Sequence, residues 1–226
     1  MVPETLTVAV NERESVTALL YSSSKRDRRN ITLILGHGAG ANQLSGFMRM
    51  VANGLAARGF DVMTFNFLYT ENKRHAPDPK VRLESCYRAV IDAAANHKKL
   101  KKNRLLIGGK SMGGRIASQV AEAESDRVSG LVFLGYPLHP PGRPDKLRTE
   151  HLKTLKTPML FCQGSRDPFG TETEIRAIVK QLKLLARLYF ITGGDHSFKV
   201  PKSAGKSQEQ VHEEIMDRIA EWAKSA

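Results

Sequence analysis

The stretch Leu105-Leu106-Ile107-Gly108-Gly109-Lys110-Ser111-Met112-Gly113-Gly114-Arg115, LLIGGKSMGGR, admits two readings that imply different folds. Its Gly-Lys-Ser looks like the end of a phosphate-binding loop, G-x-x-x-x-G-K-[ST]. That pattern needs a glycine at position 104, where the chain has Arg104. It also needs several loop residues between strand and helix, so that backbone N–H groups can wrap a phosphate. The apolar strand Leu105–Ile107 runs almost directly into Ser111, which leaves too little loop for a cradle. The second reading is G-x-S-x-G after a strand and before a helix, met here by Gly109-Lys110-Ser111-Met112-Gly113. On such an elbow the serine sits on a sharp, strained turn that lifts its hydroxyl above the sheet. The residues two before and two after it approach each other and the neighbouring strands, so side chains there would clash.

Chain order strengthens the second reading. A serine is a weak nucleophile and needs a base to take its proton and an acid to orient that base. Asp167 follows the strand Pro158–Cys162, and His196 follows the strand Arg187–Ile191. Both sit just beyond strand carboxyl ends, the edge where open α/β sheets place their ligand sites. Nucleophile, acid and base in the order Ser111, Asp167, His196 is a known arrangement for this chemistry. The N–H of Met112, next after the nucleophile, is the first expected oxyanion donor. The second is Ala39 in the loop Gly36-His37-Gly38-Ala39-Gly40, whose small residues let the backbone approach a developing charge. His37 is expected to support that loop rather than act as the base. Asp195, adjacent to His196, is the less favoured acid because sequence neighbours point differently.

Working outward, the remaining chain alternates strand and helix. Leu6–Val10 and Thr17–Tyr21 are short candidate strands, followed by the polar turn SSSKRDRRN. Further strands are expected at Ile31–Leu35, Val62–Phe67, Arg104–Ile107 and Val128–Gly135. Leu44, Met48, Val51 and Leu55 recur at helical spacing, with Gly59 suited to the helix end. Helices are also expected at Val81–His97, Ser111–Ala123 and Thr173–Leu185, and a last one carries Val211, Ile215, Ile219 and Trp222 on one stripe. The polar segments TENKRHAPDP and YPLHPPGRPD are expected loops. Apolar runs bracketed by helices predict a mostly parallel α/β sheet covered on both faces. With no repeat or linker, residues 1–226 are expected to form a single domain.

The motifs HGAG (37–40), GKSMGG (109–114), GSRDPFG (164–170) and GGDHSF (193–198) resemble those of the α/β-hydrolase superfamily, in its small capless members of dienelactone-hydrolase type. The match spans nearly the whole chain. The elbow together with YPLHPP is similar to one branch in particular, which includes bacterial predicted hydrolases, the testis-expressed protein 30 and a chromatin-complex subunit. The resemblance implies Ser111 as nucleophile, His196 as base and Asp167 as its orienting acid, with no metal or cofactor. Dienelactone hydrolases proper carry cysteine at the elbow, so Ser111 weakens dienelactone as a substrate. Only about twenty residues separate Gly135 from Leu155, which leaves no room for a lid.

These readings converge on a serine hydrolase that cleaves an ester, thioester or related acyl bond of a small substrate. The alternative is a catalytically silent scaffold or interaction module that keeps the fold. Tyr136, His139 and Arg143, on the loop after Gly135, are candidate substrate contacts, as is Lys110 within the elbow. The basic residues Lys110, Arg143, Lys73 and Arg74 point to an anionic or carboxylate-bearing acyl compound. The net charge of +12 favours anionic partners in general but says nothing about fold. The strongest basic run, His97 to Arg104, falls at the opposite sheet edge and has no nucleic-acid-binding motif with it, so nucleic acid is not an expected partner. The N-terminal MVPETLTVAV lacks a basic segment leading into an apolar core, and no apolar run approaches the roughly 20 residues of a membrane helix. Cys86 and Cys162 have no metal-like spacing and are expected as buried small hydrophobes. A cytoplasmic location is the default for that usage.

Overall fold

The apolar runs become eight strands of one sheet in the computed structural model, which describes residues 2–225. They are β1 (Glu4–Ala9), β2 (Ser15–Tyr21), β3 (Ile31–Gly36), β4 (Phe60–Phe65), β5 (Arg104–Lys110), β6 (Val128–Leu134), β7 (Met159–Gly164) and β8 (Ala186–Ile191). Their order across the sheet is β1-β2-β4-β3-β5-β6-β7-β8. The first two pair antiparallel, and β4 through β8 run parallel with β3. The central strands are buried along their whole length, as expected for a sheet covered on both faces.

The helices are α1 (Gly46–Ala57), α2 (Leu68–Glu71), α3 (Lys80–Asn96), α4 (Met112–Val120), α5 (Glu172–Gln181) and α6 (Gln208–Trp222). One face of the sheet packs Val90 and Ile91 of α3, Ile116 and Val120 of α4, and Ile175 and Ile178 of α5. The other packs Met48 and Leu55 of α1 with Val211, Ile215 and Ile219 of α6. Each such aliphatic side chain contributes about 1.5–3 kcal/mol on burial. The segment between β6 and β7 carries one short 3-10 turn, Glu150–Lys153, so no large cap is inserted there. Among the described residues no helix is long and apolar enough to cross a membrane.

Differences from the sequence expectation lie at element ends. Val10 leaves β1 to make the turn, its N–H donating to the Glu14 carbonyl at 2.8 Å. The fourth strand starts and ends earlier than Val62–Phe67, because Phe60 pairs with Ile31 at the head of β3. Phe67 then opens α2, a four-residue helix where TENKRHAPDP is otherwise irregular. The fifth helix stops at Gln181 and the chain tightens into a 3-10 turn, with Lys183 in a left-handed conformation at φ 55°. Both cysteines are buried, and burial pushes each thiol up to about 12.

Candidate active site

The carboxyl ends of β3, β5, β7 and β8 bring four loops to one sheet edge. Strand β5 runs without a break to Lys110, and Ser111 follows at φ 49° and ψ −112°. An L-residue held there costs on the order of 1–3 kcal/mol, which the surrounding packing must offset. The glycines explain why the turn can form. A Cβ on Gly109 would lie 2.2 Å from the Gly36 carbonyl oxygen, and one on Gly113 would lie 2.1 Å from the same atom. The elbow is therefore pressed against β3 backbone to backbone. Beneath it, the buried Tyr87 hydroxyl accepts the Gly108 N–H at 3.0 Å and donates to the Gly108 carbonyl at 2.6 Å.

Ser111, His196 and Asp167 meet in one line. His196 Nε2 is 2.8 Å from Ser111 Oγ, and its Nδ1 is 2.7 Å from Asp167 Oδ2. Facing a carboxylate, Nδ1 carries the proton and donates, which leaves Nε2 as the acceptor for the serine O–H. The Asp167 side chain is wholly buried, while that of His196 is 19% exposed, enough for water to reach it. Asp167 is held by two further donors: the Phe169 N–H to Oδ1 at 2.8 Å and Gln163 Nε2 to Oδ2 at 2.9 Å. Gln163 is itself fixed, since its Oε1 accepts the Tyr136 N–H at 2.8 Å. Phe169 lies against the imidazole with ring centroids 4.2 Å apart. Asp195 takes no part in this line. Its Oδ1 accepts the N–H groups of Ser197 and Lys199, closing the turn that presents His196.

The loop after β3 runs beside the elbow: a Cβ on Gly38 would lie 3.7 Å from Ser111 Cβ. His37 clamps this loop. Its Nε2 accepts the Phe67 N–H at 3.2 Å, so Nδ1 carries the proton and donates to the Gly38 carbonyl at 2.9 Å. Burial pushes its pKa down to about 4, so it stays neutral and has no free nitrogen for proton transfer. Met112 opens α4, and its N–H has no partner within the helix. Met112 and the exposed Ala39 border one cleft with Ser111 and His196, of about 380 Å³. Both residues expected to supply oxyanion donors thus border the cleft that holds Ser111.

Of the expected substrate contacts, Lys110 alone reaches a pocket at this edge. It borders an apolar recess of about 470 Å³ beside the cleft, with Phe47, Met48 and Met50, and Ala39 and His196 border both. The other three are corrected. Tyr136 is fully buried, packed on Phe133 and Phe161. His139 is 4% exposed, with Nδ1 on the Pro140 carbonyl. Arg143 points to solvent and pairs with Asp145. The loop turns inward after Gly135, so the residues it gives to the cleft are Pro137 and Arg148. Sequence reasoning missed Gln163, Phe169, Arg115 and Arg148. The signal for Arg115 was present, since a residue four after Ser111 on a helix shares its side.

Lys110 forms no ion pair or hydrogen bond among the described residues, and its Nζ lies 5.6 Å from the Phe198 ring centre. Burial lowers its pKa to about 8, against the opposing pull of Asp167 and Asp195. Below pH 8 the folded state holds a poorly hydrated ammonium, which costs stability. Between pH 8 and the ordinary value of 10.5 the unfolded chain binds more protons than the folded one, so this cost fades as pH rises. Lys110→Met should therefore raise the melting temperature at pH 7, with the gain shrinking towards pH 10.5. Melting curves of both proteins across that range test this, and a pH-independent difference would refute it.

Residues 29–224 match the model of an alpha/beta hydrolase domain. Among solved structures, the chain is similar to a dienelactone hydrolase from Anabaena variabilis, at 22% identity and a TM-score of 0.77, covering 98% of this chain and 97% of that one. A serine hydrolase without lid from Xanthomonas campestris is similar at 16% identity and a TM-score of 0.75, covering 98% and 95%. An alpha-beta serine hydrolase homologue from Coxiella burnetii is similar at 19% identity and a TM-score of 0.74, covering 97% and 98%. At these identities the likeness is one of fold.

Proposed function

The chain belongs to the alpha/beta hydrolase family, and from that premise we propose that it is a serine hydrolase cleaving an ester, thioester or related acyl bond through an acyl-enzyme on Ser111. The observation that carries this reading is His196 held between Ser111 Oγ at 2.8 Å and Asp167 Oδ2 at 2.7 Å, with each contact on a different ring nitrogen. The serine-hydrolase and dienelactone-hydrolase neighbours support the same class of chemistry.

The steps follow from the geometry. Ser111 Oγ attacks the acyl carbon while its proton passes to His196 Nε2. The negative charge moves to the acyl oxygen, where the N–H groups of Met112 and Ala39 receive it, aided by the positive end of α4. Asp167 stabilises the imidazolium that forms. His196 then gives the proton to the departing oxygen or sulfur, and the bond to the acyl carbon breaks. Water enters at the vacated position and loses a proton to Nε2 as its oxygen attacks the acyl-enzyme. The returning proton restores the Ser111 hydroxyl and frees the acid.

A fluorophosphonate probe tests the reading. It should label the native protein once, with the adduct mapped by mass spectrometry to the peptide that contains Ser111. A folded protein that stays unlabelled and cleaves no ester would overturn it.

A further inference from the structure

The cleft that holds Ser111 is also bordered by two arginines, Arg115 and Arg148. Neither forms a side-chain hydrogen bond or an ion pair among the described residues, and Arg115 Nε is buried with no partner. After burial itself, Arg148 is the strongest influence lowering the Arg115 pKa, so the two cations are close enough to repel. Two half-buried cations facing one cleft without a counterion are costly unless an anion joins them.

The nearby carboxylates do not serve. Asp78 also borders the cleft, but its Oδ1 already meets Arg74 at 2.7 Å and Arg82 at 3.5 Å. Its Oδ2 is buried without a partner, so it does not reach the arginines either. Glu84 partly offsets the repulsion at Arg115 but forms no ion pair with it, holding Lys80 at 3.5 Å and Arg88 at 3.4 Å instead.

The two arginines are anchored from behind. His151 Nε2 donates to Ser118 Oγ at 2.8 Å, and Ser118 donates to the Arg115 carbonyl at 2.7 Å. The buried Tyr136 hydroxyl donates to the Arg148 carbonyl at 3.1 Å and lies 3.3 Å from Ser118 Oγ. Arg115 stands one helical turn from the nucleophile, its N–H on the Ser111 carbonyl at 3.1 Å. A buried polar network thus fixes the backbone of both residues relative to Ser111.

We infer that Arg115 and Arg148 form a carboxylate-binding subsite beside Ser111, so that the substrate is an acyl compound with a free carboxylate, of the half-ester type given by a short dicarboxylic acid. This rests on Ser111 acting as proposed above. The planar guanidinium fork matches a carboxylate in two-point contact. Asp78, in the same lining, adds negative charge beside the arginines, which favours a singly charged carboxylate over a phosphate group.

The test compares kcat/KM for p-nitrophenyl hemiglutarate with that for p-nitrophenyl valerate, a neutral ester of similar size. The native protein should prefer the anionic ester by on the order of tenfold to hundredfold. Arg115→Met and Arg148→Met should each bring that ratio towards one. Arg143→Met, which removes an exposed cation paired with Asp145, should leave it unchanged. Should Arg115→Met fail to fold, Arg148→Met on its loop reads the same ratio. Glutarate should also slow fluorophosphonate labelling of the native protein and not of Arg148→Met. Hydrolysis of both esters without preference, or a preference that survives in both arginine variants, would overturn the subsite and leave the hydrolase reading standing. An equally strong preference for a phosphate-bearing ester would overturn the choice of carboxylate. Absence of both labelling and hydrolysis would overturn the two readings together.

Discussion

Ser111→Ala should lower kcat on any ester the protein cleaves by on the order of 10⁶-fold and abolish fluorophosphonate labelling. The change removes a single atom, the one 2.8 Å from His196 Nε2. What survives is informative. The N–H groups assigned to the oxyanion belong to the backbone of Met112 and Ala39, so the variant keeps them and a small rate above that of water remains. Stability should change little. Alanine keeps the Cβ and the same backbone conformation, so the strain at φ 49° is the same in both proteins. The imidazole loses a hydrogen-bond partner but borders an open cleft, where water takes its place. The His196→Ala variant should be impaired to a similar degree, and the double variant hardly further, because the two groups act as a unit. A single-variant rate within tenfold of the native one, measured on a protein with an unchanged melting temperature, would place the nucleophile elsewhere.

The parts of this site that were legible in the sequence share one property: each is fixed by a strand end. Ser111, Asp167 and His196 come within a few residues of the ends of β5, β7 and β8, and apolar runs locate those ends well. The glycines at 109 and 113 were legible because only a missing side chain allows contact with Gly36. Gln163 was not, because it lies inside an apolar strand with its polarity spent on Tyr136 and Asp167, contacts that depend on register between distant segments. The loop after Gly135 misled the reading for a related reason. Its sequence offers Tyr136, His139 and Arg143 as attractive polar groups, but periodicity says nothing about the path of an irregular, proline-rich segment. The chain folds Tyr136 under the sheet edge and brings Arg148 round to the cleft, five residues after the arginine that the sequence suggested. Arg115 was in plain view, at the end of the stretch that decided the fold, yet only the structure leaves its guanidinium without a partner.

Asp167→Asn should reduce kcat by about 10⁴-fold while leaving the fold intact. The number of donors that meet this side chain decides the outcome. Asp167 receives three, namely the Phe169 N–H on Oδ1, and Gln163 Nε2 and His196 Nδ1 together on Oδ2. A carboxylate accepts all three. An asparagine offers one oxygen and one NH₂ group, so its NH₂ must face a donor whichever way it turns. With the NH₂ towards Phe169, a buried backbone N–H loses its acceptor. With the NH₂ towards His196, the imidazole can respond only by moving its proton to Nε2, where it points at Ser111 Oγ and can no longer accept the serine proton. The side chain is fully buried, so no water relieves either arrangement. The loss should therefore fall on kcat far more than on KM, and it should carry a signature that a merely structural fault would not. Labelling by fluorophosphonate, which needs the same base, should slow in parallel with turnover. Gln163→Leu, which removes one donor and leaves Asp167 charged, should be much milder on both. If Asp167→Asn keeps labelling at the native rate, the orienting acid is not Asp167, and Asp195 would have to leave its turn to take that place.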